Sequence, residues 1–250
     1  MLGQAESARG ESVRKLLEIA AAADKRCTVA LVYTAALLTA FEYELIPVRV
    51  EARLRGLDAS FAPSPSLQAG LVWVLACVLG YLVVPLLFVK LFHREPASTV
   101  GFRIRGFHRH VGVYLLLFAL MLPVVIAASR EPSFQTAYPF VVDARESVGD
   151  FLCWEAAYVA QFVALEAFFR GYLLFTLESR FGATAVPMMA VPYAMIHFHK
   201  PAPEAFGAIV AGLVLGFLAL RFRSWVGGAL LHALVAVTMD VLAVRQAGLF

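Results

Sequence analysis

The most constraining feature of the sequence is a long stretch without charge: no charged residue lies between Asp58 and Lys90. An α-helix needs ~20 apolar residues to cross a bilayer, and residues 67–92 exceed that length. The chain is 61% hydrophobic and only 16% charged, whereas average soluble domains are about a quarter charged. Apolar segments occur at 27–47, 67–92, 111–128, 151–177, 183–199, 204–220 and 224–244. The pattern predicts an all-α, polytopic transmembrane helix bundle of about seven spans.

The segments between the apolar runs predict the domain order and the orientation. Residues 1–26 are polar and are expected to form a cytoplasmic amphipathic helix on the membrane surface, or a solvated helical tail. Residues 27–149 would supply accessory transmembrane helices and loops, and 150–250 would form the active-site core in the last four helices. Lys and Arg are more frequent in the loops on the N-terminal side. The positive-inside rule therefore predicts a cytoplasmic N-terminus. Separately, we expect the membrane to be a bacterial-type inner membrane.

The remaining composition argues against several classes of protein. A net charge of +3 is too small to favour nucleic acid as a partner. Cys27, Cys77 and Cys153 lie in or next to apolar runs and have no CxxC spacing, which indicates free thiols rather than a metal site or a disulfide framework. The expected surroundings are the lipid bilayer.

Two charged residues interrupt the apolar run from Phe162 to Phe175. Glu166 and Arg170 are four residues apart, so they share one face of a helix and can pair. Charged side chains at this depth are costly and usually have a partner or a function. One interpretation is a structural ion pair between helices. The other is that Arg170 keeps Glu166 ionised and oriented, which leaves a carboxylate oxygen free to take a proton from water.

Further ionisable residues lie in the other C-terminal segments. His197 follows Tyr193 by four residues, and His232 lies in an otherwise uncharged stretch with Asp240 two turns later. Glu155 precedes Glu166 by eleven residues, which is ~16 Å along a helix and too far for a shared proton. We expect Glu155 to line the mouth of the same cavity or to pair elsewhere, and the other residues to converge on one polar site.

The order of these residues resembles a known family. The pattern Glu166-x-x-x-Arg170-Gly171, then Tyr193-x-x-x-His197, then His232 is similar to the CPBP family of CAAX prenyl proteases and bacteriocin-processing or immunity proteins, also called Abi or glutamic intramembrane endopeptidases. The resemblance covers roughly residues 150–245. It implies endoproteolysis inside the membrane by a glutamate and a histidine that activate water, with no metal and no cofactor.

Two positions depart from that family pattern. The first motif of the family normally has two adjacent glutamates, and Leu165 stands in place of the first. The last motif normally has a polar residue four positions after the histidine, and here that residue is Ala236. Either Glu166 serves as the base with Asp240 replacing the lost polar group, or catalysis is impaired.

The resemblance implies a first hypothesis, a metal-independent glutamic-type endopeptidase acting on a membrane-anchored or lipidated polypeptide. In it Glu166 is the general base and His197 assists. His232, with or without Asp240, binds the oxyanion, and Arg170 orients Glu166.

Three other hypotheses remain open. A catalytically weak relative could bind a membrane peptide or act as an immunity protein. A metal-dependent protease could use Glu166, His197 and His232 as ligands, although the sequence has no HExxH motif. A transporter is disfavoured because the intramembrane charges gather in the C-terminal part and no paired broken helices are evident.

Overall fold

The computed structural model describes Glu18 and residues 22–248, so most of the predicted segment 1–26 lies outside the described residues. Within the described part the chain contains helices and no strands, which confirms the all-α prediction. The helices are α1 (Lys25–Leu45), α2 (Pro47–Arg55), α3 (Leu67–His93), α4 (Val111–Ala128), α5 (Pro132–Ala137), α6 (148–181), α7 (Ala185–Met195), α8 (Ala202–Phe222) and α9 (Val226–Gln246).

Polar residues determine where several of these helices begin. The Asp24 carboxylate accepts a hydrogen bond from the Cys27 amide at 2.8 Å and caps α1. Ser147 caps α6 in the same way, because its hydroxyl accepts from the Asp150 amide at 3.0 Å. Pro47 starts α2, where its missing amide hydrogen costs nothing. These caps satisfy amides that have no partner within their helices.

Ion pairs mark the two ends of the bundle. At one end Arg26 pairs with Glu95 at 2.7 Å, and Arg223 pairs with Glu178 at 2.6 Å. These contacts join the start of α1, the loop after α3, the end of α6 and the α8–α9 turn. We name this the basic end, since the loop after α3 also carries the arginines at 94, 103, 105 and 109.

The opposite end, which we name the far end, joins other loops. His199 lies 3.2 Å from Glu42, so the α7–α8 loop meets the end of α1. Lys200 donates a hydrogen bond to the Tyr138 hydroxyl at 2.8 Å, so the same loop also meets the segment that leads into α6. The α7–α8 loop therefore lies at the end of the bundle where α6 begins.

Six stretches of the described chain are long and apolar enough to span a membrane, so this is an integral membrane protein. The fourth, Val148–Met195, has 48 residues and reverses direction at Gly182–Thr184. Gly182 has a φ of +56°, a conformation that favours glycine. Because α6 ends at the basic end and the α7–α8 loop lies at the far end, this stretch makes two passes. The chain therefore passes seven times between the two ends.

Helix α6 is the centre of the bundle. Every residue from 164 to 177 is buried, whereas only Tyr114 and Val125 are buried on α4. On the outside of α4, Leu116, Leu120 and Val124 are each about 60% exposed and share one face, as expected for lipid contact. The charges of Glu166 and Arg170 thus lie on the one helix that is surrounded by the others.

Small residues let α8 approach α7 closely. A Cβ atom on Gly212 would lie 3.1 Å from the Tyr193 ring, and one on Gly216 would lie 2.7 Å from Val186. Ala208, one turn earlier, is also buried. The four-residue spacing of these positions serves helix packing.

Candidate active site

The centre of α6 changes its helical geometry at the Glu166-x-x-x-Arg170-Gly171 motif described above. It is α-helical over Val148–Glu166 and π-helical over Ala167–Leu173, before an α-helical end at Leu174–Phe181. The π-helical segment starts directly after Glu166 and contains Arg170. Segments of this kind occur often at functional sites, because they turn side chains away from the regular helical positions. Here a Cβ on Gly171 would lie 3.0 Å from the Val100 carbonyl oxygen, so glycine permits this packing.

Glu166 is fully buried, and its two carboxylate oxygens have different surroundings. Oε1 accepts a hydrogen bond from Nη1 of Arg170 at 2.8 Å and lies 3.1 Å from Nδ1 of His232. Oε2 has no hydrogen-bond partner within the described residues. The carboxylate therefore bridges two helices through one oxygen, α6 through Arg170 and α9 through His232.

Arg170 is also fully buried and lies between the glutamate and an aromatic ring. Its guanidinium carbon is 3.7 Å from the centre of the Tyr193 ring, within the range of a cation–π interaction. Its Nε and Nη2 atoms have no hydrogen-bond partner in the described part of the chain. The ion pair and the contact with the ring together stabilise this buried cation.

His232 is the most accessible of these groups, with 18% of its side chain exposed. The Phe162 ring packs against its imidazole at 4.3 Å between centroids. A carboxylate can only accept hydrogen bonds, so Nδ1 must donate to Glu166. In the neutral imidazole this leaves Nε2 as an acceptor.

His197 lies in the turn just after Met195, the last residue of its span. Its Nδ1 is 2.9 Å from the Tyr193 carbonyl oxygen, so this nitrogen donates and Nε2 is again an acceptor. Burial lowers the pKa of His197 to about 4, so the ring is neutral at physiological pH. The rings of His232 and Tyr193 are 6.5 Å apart, and those of Tyr193 and His197 are 4.9 Å apart. Tyr193 therefore lies between the two histidines.

Glu155 and Asp240 are brought together, but at another place along α6 and α9. Their carboxyl groups lie close enough to interact electrostatically, and the Trp154 indole donates to Oδ2 of Asp240 at 2.9 Å. Both residues are at least nine-tenths buried. The structure thus gives Asp240 different partners from those of His232, and Glu155 pairs elsewhere than with Glu166.

The two positions that depart from the family pattern are filled by apolar packing. Leu165 is buried in the main hydrophobic core with Phe168 and Phe169. Ala236 is buried in a second cluster with Trp154 and Tyr158.

Sequence reasoning missed Gly228, which contacts the carboxylate directly. A Cβ atom at this position would lie 2.6 Å from Oε2 of Glu166. The available signal was the pair Gly227-Gly228 in the first turn of a transmembrane helix, where each glycine costs about 1 kcal/mol relative to alanine.

Among the residues that the structure describes, no three His, Cys, Asp or Glu side chains are grouped closely enough to hold a metal ion. The candidate site therefore consists of one carboxylate, one guanidinium and two imidazoles. Three of these four groups are joined directly through Oε1 of Glu166, and His197 adjoins them through Tyr193.

Comparison with known proteins gives one family match, and it covers the helices that carry the candidate site. Residues 148–238 match the family model described as type II CAAX prenyl endopeptidase Rce1-like. No curated protein and no solved structure matches the chain. The matched stretch begins with α6 and ends within α9, so it includes Glu166 and His232 but not Asp240. The resemblance predicted from the motifs is confirmed over this stretch.

Proposed function

With the match over residues 148–238 as the premise, we propose that the chain is an intramembrane endopeptidase in which Glu166 and His232 activate water as a pair. The match implies a protease of the CAAX type. The observation that carries the finer proposal is the contact of 3.1 Å between Nδ1 of His232 and Oε1 of Glu166. It supports a carboxylate that orients and balances the charge of an imidazole base.

In the proposed reaction, the oxygen of one water molecule attacks the carbonyl carbon of the peptide bond. Its proton passes to Nε2 of His232, and Glu166 stabilises the imidazolium that forms. His232 then gives that proton to the departing nitrogen as the carbon–nitrogen bond breaks. His232 is chosen over Glu166 as the proton acceptor because Glu166 has no exposed surface. In this proposal His232 acts as the base, whereas the sequence-based hypothesis gives it the oxyanion-binding role.

Arg170 and His197 have supporting roles in this proposal. Arg170 holds Oε1 of Glu166 at 2.8 Å and keeps the carboxylate paired with a fixed cation. His197 is neutral and offers a second acceptor next to Tyr193. The substrate would be a membrane-anchored or lipidated polypeptide, cut near the basic end, which we propose faces the cytoplasm.

A second candidate function, a catalytically weak binder of membrane peptides, is favoured by one observation. Leu165 fills the family's first glutamate position with core packing, and the remaining carboxylate is buried. In this function the same site would hold a peptide without cleaving it, and the protein would act as a membrane-peptide binder or an immunity protein.

One experiment separates the two functions. Purified wild type and Glu166→Gln are incubated in detergent with membrane fractions from a strain that lacks the protein, and new peptide termini are sought by mass spectrometry. Glu178→Gln is the matched control, because Glu178 lies on the same helix but pairs with Arg223 at the basic end. Termini made by wild type and the control, and lost in Glu166→Gln, support the endopeptidase. Folded proteins that produce no termini support the binder.

A further inference from the structure

The two oxygens of Glu166 both face α9, at positions one helical turn apart. Oε1 lies against His232, and Oε2 lies where a Cβ of residue 228 would be. Residues four apart share one face of a helix, so Gly228 and His232 approach the carboxylate from the same side. The carboxylate is thus held between one glycine and one histidine of a single helix.

The space at Gly228 is shaped for a carboxylate and not for packing against a neighbouring helix backbone. A Cβ at position 228 would lie 2.6 Å from Oε2 and 3.3 Å from Cδ of Glu166, while the next atom, from Leu215, would be 3.9 Å away. Real Cβ atoms essentially never approach another heavy atom as closely as 2.6 Å. Any residue other than glycine would therefore push the carboxylate out of its present plane.

The neighbouring Gly227 has a different partner. A Cβ there would overlap the ring of Tyr114, which is buried on α4. Adjacent helical residues point about 100° apart, so the two glycines open towards α4 and α6 separately. Gly227 thus makes room for the Tyr114 ring and Gly228 for the Glu166 carboxylate, so only Gly228 acts on the carboxylate.

We propose that Gly228 is a positioning residue whose missing side chain fixes the plane of the Glu166 carboxylate, so that Oε1 meets His232 and Arg170. This rests on the proposed function for its effect on activity, but the steric contact itself is independent of any reaction. Rotation of the carboxylate by an added methyl group would separate Oε1 from Nδ1 of His232 and leave the imidazole without its anion.

The activity test compares Gly228→Ala with Gly207→Ala. Gly207 is also a helical glycine, on α8, and a Cβ there would meet nothing within 4 Å. Displacement of a catalytic group by about 1 Å can cost about 100-fold in rate. We expect Gly228→Ala to lower kcat by about that factor with little change in KM, and Gly207→Ala to behave as wild type. Unchanged kcat in Gly228→Ala would overturn the proposal.

A double-mutant cycle with Glu166→Asp provides a test that does not depend on proteolysis. Aspartate is one methylene shorter, so its carboxylate withdraws from position 228. The fall in Tm caused by Gly228→Ala in detergent should be large with Glu166 and much smaller in the Glu166→Asp background. Equal falls in both backgrounds would assign Gly228 to helix packing and overturn the proposal.

Failure of this proposal can be distinguished from failure of the proposed function. If wild type cleaves nothing, the Tm cycle still supports or contradicts the steric contact. If Gly228→Ala does not fold, folding of Gly228→Ala with Glu166→Asp supports the proposal, and failure of both contradicts it.

Discussion

Two glutamates on the same helix illustrate how neighbours determine the chemistry of a buried carboxyl group. Glu166 faces a guanidinium and an imidazole, whereas Glu155 faces a second carboxyl group, that of Asp240. Both pairs join α6 to α9, and both glutamates are buried. Glu166 therefore has partners for an ionised carboxylate, and Glu155 does not.

Two ionised carboxylates side by side in a buried site repel each other, so we expect the Glu155–Asp240 pair to hold one proton. Both oxygens of Glu155, and Oδ1 of Asp240, have no donor among the described residues, and only Oδ2 receives the Trp154 indole. The comparison teaches that one site is organised around an anion and the other around an uncharged or singly charged acid pair.

The largest expected effect comes from removing the cation at the first site. Arg170→Leu would leave Glu166 buried without its counter-charge, which costs about 3–5 kcal/mol of unfolding free energy. Thermal unfolding in detergent should show a large fall in Tm. Arg26→Leu is the control, because its ion pair with Glu95 is exposed and contributes about 0–1 kcal/mol. Similar losses in both variants would contradict the distinction.

The second prediction compares the two glutamates in catalysis. Glu166→Gln should reduce cleavage about a thousandfold, since it removes the anion behind the His232 base. Glu155→Gln should leave cleavage close to the wild-type rate, because Glu155 does not contact His232 in the structure. Rates are measured on one substrate once mass spectrometry has identified it. Equal losses would place both carboxyl groups in one functional unit.

The third prediction concerns His197, a buried base that has neither an anion nor an acid within hydrogen-bonding distance among the described residues. Its pKa is about 4 in the folded protein because of burial, against about 6.5 when unfolded. The folded state then resists protonation, so its stability is complete above pH 6.5 and is lost as the pH falls towards 4. The loss amounts to about 3 kcal/mol over that interval.

Thermal unfolding of wild type and His197→Gln at pH 7, 5.5 and 4.5 measures this effect. As the pH falls, the Tm of wild type should fall more steeply than the Tm of His197→Gln. A difference in Tm between the two proteins that stays constant over the three pH values would show that His197 is not the source of the acid sensitivity.

The smallest effect is expected at the acid pair. Glu155→Gln replaces the acid with an amide whose N–H group can donate to Asp240 without protonation of either carboxyl group. The unfolding free energy should therefore change by less than about 1 kcal/mol. Infrared spectra of wild type should contain the C=O band of a protonated carboxyl group in the protein interior. That band should disappear in Glu155→Gln, and its persistence would contradict a shared proton.

Much of the fold and part of the site could be predicted because both follow from the cost of charge in lipid. The length of the apolar segments indicates spanning helices, and the isolated Glu166, Arg170 and His232 need partners at that depth. The structure brings these three together. The sequence therefore predicted those features that depend on residue spacing within one helix or on the need of a buried charge for a partner.

The parts that could not be predicted depend on registration between helices. Asp240 and His232 lie on the same helix, but only the position of α9 along α6 decides that one meets Glu155 and the other Glu166. The π-helical segment at Ala167–Leu173 invalidates the assumption of 100° per residue at that place. Gly228 has no chemical group of its own, so only a distance to Glu166 reveals its importance.

The position of the site along α9 determines how deep a substrate must travel. His232 is six residues after Val226, the first residue of α9, which corresponds to ~9 Å of helix. The hydrocarbon core of a bilayer is ~30 Å thick, so the imidazole lies about a third of the way in from the basic end. Under the proposed function, a peptide tail that enters from that leaflet would reach the site while its lipid anchor stays among the acyl chains, and the released tail would leave on the side from which it came.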